Sequence, residues 1–172
     1  MHAELERSGG TPPSEFLNLK GIEYFMFEED FMENNIRCIP MIIRFKMDKA
    51  GIKLKLAEWN RLGIEEKILL AKLKCNSGEE IDRYNKYLKG LIKERTGREA
   101  TLLEVDQNPL WENVCSLPGK LNEILAEFDL QLSIEQWKDL TNLQRFALLK
   151  LCRPGHENKN FPKAMKEFKL VN

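Results

Sequence analysis

Apolar residues recur at helical spacing along most of this chain, and capping residues mark where one amphipathic run ends and the next begins. After Pro118, whose locked φ suits a first helical turn, Leu121, Ile124, Leu125 and Phe128 share one face. Ser133 with Gln136 and Thr141 with Gln144 have capping-box spacing, which predicts helices starting near residues 134 and 142. Ser77 with Glu80 opens another, carrying Ile81, Tyr84, Leu88, Leu91 and Ile92 on one face and Gly97 just past its end. A short helix over PKAMKEF, around Pro162, closes the series.

One segment is ambiguous. MIIRFKM at 41–47 alternates apolar and polar and by itself fits a strand. An internal repeat resolves it. Adding 78 to Pro40, Leu54, Trp59, Leu62, Leu70, Lys72 and Leu73 gives Pro118, Leu132, Trp137, Leu140, Leu148, Lys150 and Leu151. Conservative matches accompany these seven identities, among them Ile43 with Leu121, Lys67 with Arg145 and Ile68 with Phe146. Transferring the helical reading of 117–128 back predicts a helix over 40–50 stopped by Gly51, with a β-hairpin through 41–56 as the alternative. The expected fold is all-α, a compact single-domain helical bundle of about eight helices. Its two similar halves are 39–97 and 117–170, and 99–114 reads as an extended linker. In the alternative the fold is α+β.

Length and charge narrow the classes of function. A chain of 172 residues can bury one sizeable core, so 21–172 is read as one domain behind a disordered tail over 1–20 that contains SGGTPPS. Lys+Arg 27 balances Asp+Glu 27, which removes the long-range attraction that a general nucleic-acid or membrane-surface binder uses. Neither a secretory leader nor an apolar run of bilayer length is visible, so the expected location is cytoplasmic. Cys38, Cys75, Cys115 and Cys152 form no CxxC pair and read as reduced, buried hydrophobes, with no metal implied.

Candidate chemistry gathers in two places. Residues 21–36 carry Glu23, Glu28, Glu29, Asp30 and Glu33 without a Lys or Arg, and the next stretch is basic, with Arg37, Arg44 and Lys46. A solvated, ion-paired surface explains this; so does a docking face or anion site with those three cations as donors. The carboxylates lack the ExxH companion of a bundle di-metal site. The second place is RPGHENKNF at 153–161, where Arg153, His156, Glu157, Asn158 and Asn160 follow a helix stopped by Pro154–Gly155. His156 either fixes that bend or faces a partner. No nucleophile elbow and no phosphate loop appears, so neither a catalytic residue nor a cofactor is assigned.

FMFEEDF at 25–31, RCIPMIIRFKMDKAGIKLKLAEW at 37–59 and QWKDLTNLQRFALLKLCRPGHENKNF at 136–161 together resemble the nitrate reductase-associated protein family. The resemblance implies a non-enzymatic accessory role in nitrate assimilation, with nitrate reductase as the partner and no cofactor. The alternative is a small-anion or ligand-binding sensor using Arg37, Arg44, Arg153 and His156.

Overall fold

Pro40 and Pro118 each hold an extended backbone (ψ 153° and 143°) from which a helix departs. In the computed structural model the described residues are Phe25, Phe27, Glu28, Ile36 and 38–172, the side chains of His156 and Glu157 excepted. The expected tail over 1–20, Arg37, Glu23, Glu29, Asp30 and Glu33 lie outside them.

The fold is mostly helical. Eight α-helices are described: α1 Met41–Ala50, α2 Leu56–Trp59, α3 Ile64–Lys72, α4 Gly78–Thr96, α5 Gly119–Glu127, α6 Ile134–Asp139, α7 Asn142–Leu151 and α8 Phe161–Glu167. The helical reading of 41–47 is the right one. Every residue of α1 is buried or half-buried, so the helix needs no polar stripe and its sequence loses the 3.6 period. The strand signal of 41–56 survives only as β1, Ile52–Lys53, which pairs antiparallel with β2, Thr101–Leu102. That pairing also claims part of the 99–114 segment expected to be a plain linker. The segment after Gly155 is likewise more regular than a bend, because His156–Asn160 forms a 3-10 turn leading into α8.

The chain divides into two units, residues 1–104 and 105–172. Unit 1 is built around Ile43, Met47, Ile52, Trp59, Leu70, Tyr84, Leu88 and Ile92, all buried in one apolar cluster. In unit 2 the buried side chains include Leu121, Ile124, Trp137, Phe146, Leu148, Phe161 and Met165.

Considered separately, the units follow one local plan. Helices α1, α2 and α3 begin at Met41, Leu56 and Ile64, and α5, α6 and α7 begin 78 residues further on in each case, at Gly119, Ile134 and Asn142. The first helix of each unit stops on a left-handed residue, Gly51 (φ 72°) or Asp129 (φ 51°). The next two helices are capped through their third residue. Glu58 and Glu66 accept from the N–H groups of Lys55 and Gly63 at 2.9 and 2.8 Å; Gln136 and Gln144 accept from those of Ser133 and Thr141, both at 2.9 Å. Of these four helices only α6 and α7 have the reciprocal hydroxyl bonds, Ser133 and Thr141 accepting from the N–H groups of Gln136 and Gln144 at 3.1 Å.

Candidate functional site

The basic segment that stands out in the sequence lies on α1, where no side chain is fully exposed. Arg44 and Lys46 are both half-buried. Lys46 Nζ donates to the carbonyls of Ala71 and Leu73 at 2.5 and 2.6 Å, so its ammonium caps the C-terminal end of α3. Burial lowers its pKa to about 8, with the Cys75 thiol pulling the other way and Lys49 adding to the drop. The neighbouring backbone acceptors are also filled: Tyr84 Oη donates to Leu70 O at 3.0 Å, and Asn85 Nδ2 to Ala50 O at 2.7 Å. Glu28, the described member of the acidic block, has a structural task as well. Its buried carboxylate accepts from the N–H of Met41 at 2.7 Å and that of Phe25 at 3.4 Å, capping α1 where Pro40 has no side-chain donor or acceptor to offer.

In unit 2, Arg153 is exposed and its N–H closes the turn onto Lys150 O at 3.3 Å. Asn158 is half-buried and its carbonyl accepts from the N–H of Phe161. Asn160 is 3% exposed, and its Nδ2 has no acceptor among the described residues. A side chain so deeply placed is out of reach of a docking partner. The 153–161 segment therefore offers Arg153 and Lys159 outward and turns Asn160 inward.

The thiols divide by setting. Cys75 is buried and donates to Lys46 O at 3.7 Å, and burial raises its pKa. Half-buried Cys152 donates to Leu148 O at 3.1 Å and is pushed up to about 11, again by burial. Neither supplies a thiolate near neutral pH. Cys115 departs from the expected burial and is exposed. Among the described residues, no three His, Cys, Asp or Glu side chains stand close enough to hold a metal ion, and no helix is long and apolar enough to cross a membrane.

A concavity that the sequence did not announce opens in unit 1, between the C-terminal half of α3 and the first turns of α4. Its volume is about 550 Å³. Leu69, Leu73, Tyr84 and Tyr87 form its apolar lining, and Lys72, Lys74, Glu80 and Arg83 its rim. Glu80 is not a free acid there, because its carboxylate accepts from the N–H groups of Asn76 and Ser77 at 2.9 and 3.2 Å and its pKa is lowered by those bonds. The one available hint was the apolar pair Leu69 and Leu73, lying off the core face of α3 that Leu70 marks.

A model of the family described as conserved nitrate reductase-associated protein matches residues 24–168, five-sixths or so of the chain and all eight helices. The chain belongs to this family. Neither a curated protein nor a solved structure matches it. For a nitrate reductase-associated protein the surfaces that remain open are therefore of most interest: the groove of unit 1 and the exposed cations of the 153–161 segment.

Proposed function

We propose that this protein is a non-enzymatic accessory factor of nitrate assimilation, acting in the cytoplasm, which binds assimilatory nitrate reductase and supports its assembly or activity. The observation that carries the reading is the family match across residues 24–168. The side-chain chemistry supports it. The buried or half-buried ionisable groups Lys46, Glu28, Lys67 and Arg145 each bond backbone groups of their own unit, a scaffold's use of charge rather than a catalyst's. The proposal takes residues 39–97 and 117–170 as two copies of one ancestral unit, and it includes Arg153 and His156 among the contact residues.

The test is coexpression of the reductase from the same organism with and without this protein, reading reductase activity per mole of purified enzyme. Activity should fall without it, and Arg153→Ala or His156→Ala should reproduce part of the fall. Equal activity in all four preparations ends the proposal.

A further inference from the structure

Each unit places a third helix of the same register, α3 or α7, but the two helices are covered differently. Seven of the ten residues of α7 are buried, against three of the nine in α3. The difference falls on one face. Phe146, Ala147 and Leu151 are buried in α7, which packs against the 3-10 turn and α8. The residues 78 positions earlier are Ile68, half-buried, Leu69, 40% exposed, and Leu73, half-buried. In unit 2 this face is buried; in unit 1 Leu69 and Leu73 of the same face line the 550 Å³ groove.

We infer that the groove between α3 and α4 is the docking site for an acidic amphipathic helix of a partner protein. An apolar trough between two helices suits the apolar face of a third. The charge of the occupant follows from the rim. Lys72, Lys74 and Arg83 are exposed around the apolar lining; Arg83 pairs with Glu79 at 3.4 Å with both side chains largely exposed, and its charge also acts on Glu80. Glu80 is the one acid of the rim and is held by backbone N–H groups of the α4 cap. An apolar ridge fills the lining while flanking carboxylates meet the lysines, the arrangement by which helices bind in grooves. The floor is preformed, since Tyr84 and Lys46 fix the last carbonyls of α3 beneath it. A small anion fits less well, because the lining is mostly apolar.

The inference rests on the reading that the partner is the reductase, and the experiment separates the two. The full chain, Leu69→Asp and Lys72→Glu/Lys74→Glu are each titrated with purified reductase and with a labelled synthetic peptide bearing leucines at i, i+3, i+4 and i+7 among glutamates. Ile134→Asp in unit 2, at 39% exposure, is the control, and circular dichroism confirms that each variant folds. The expected result is reductase binding weakened about tenfold or more by both groove variants, untouched by the control, and falling with salt. Peptide capture that the groove variants abolish, without reductase binding, keeps the docking site and removes the reductase as partner. Reductase binding that the groove variants leave intact overturns the docking site and keeps the partner. Failure to bind either probe overturns the inference, as does a sedimenting dimer that Leu69→Asp converts to monomer, since the occupant is then a second copy of the chain.

Discussion

The Lys67 ammonium stands 4.9 Å from the centre of the Trp59 ring, and both groups donate to one acceptor, the carbonyl of Ile36, at 3.3 Å from Nζ and 2.7 Å from Nε1. Ile36 is fully buried and has φ 49°, a left-handed conformation that a β-branched residue resists. Two donors on one oxygen hold the chain in that conformation. In unit 2, Trp137 and Arg145 stand at the equivalent positions, with the guanidinium 5.9 Å from the ring and the indole N–H on Asn113 O at 2.8 Å.

The shared acceptor predicts a coupled response in urea denaturation. Trp59→Phe and Lys67→Met each leave the Ile36 carbonyl one donor and should cost about 1–2 kcal/mol. The double variant leaves it neither, so its loss should exceed the sum of the two by about 1 kcal/mol. Strict additivity would show that the two donors act independently.

Arg145 should be the least replaceable of these cations. It donates to the carbonyls of Trp111, Trp137, Lys138 and Leu140 and to Asn142 Oδ1, so Arg145→Met strands several acceptors at once and should cost about 3 kcal/mol or more. Arg145→Lys should recover little, because an ammonium cannot reproduce the planar fork. Thermal denaturation of the two variants beside the wild type decides this.

Acid should loosen the caps of unit 1 before those of unit 2. Glu66 is held below its usual pKa first by the Arg95 side chain and then by the Gly63 N–H. A depressed carboxylate contributes stability above its unfolded pKa and loses it as pH falls through the folded one. Gln144 holds the matching position in unit 2 and does not titrate. Hydrogen exchange corrected for intrinsic rates, followed from pH 6 to pH 3, should therefore show α3 amides losing protection ahead of α7 amides, with Glu66→Gln removing most of the pH dependence of α3.

Lys46 gives a slope of the same sign in an alkaline window. Its folded pKa, about 8, lies below the 10.5 of the free side chain, so from about pH 8 to 10.5 the unfolded chain binds more protons and stability rises with pH. Measured against Lys46→Met, the wild type should gain about 1–2 kcal/mol over that window, a figure reduced for the partial exposure of the ammonium. A flat difference curve is the result against it.

The two left-handed stops should respond in opposite directions. Gly51→Ala introduces a side chain at φ 72° and should destabilise by about 1 kcal/mol, whereas Asp129→Gly relieves φ 51° and should stabilise by several tenths. Midpoints of urea unfolding are sufficient to see both.

Much of this architecture could be read along the chain, because the signals that set it are local. Ser77, Ser133, Thr141, Gly51 and Gly97 act within one turn of where they stand, and the 78-residue correspondence of Trp59 with Trp137 carried the helical reading into 41–47, where periodicity failed. Tertiary structure alone decided which polar groups are available. Lys46 looks like a surface donor until α3 brings the carbonyls of Ala71 and Leu73 to it; Asn160 looks like part of a recognition loop until packing buries it. The groove was nearly as hidden, since the spacing of Leu69 and Leu73 shows two apolar residues off the core face but not whether a neighbour covers them. Capping and periodicity depend on neighbours a few residues away and are written in order along the chain. Burial and desolvation depend on neighbours tens of residues away, and no spacing rule records them.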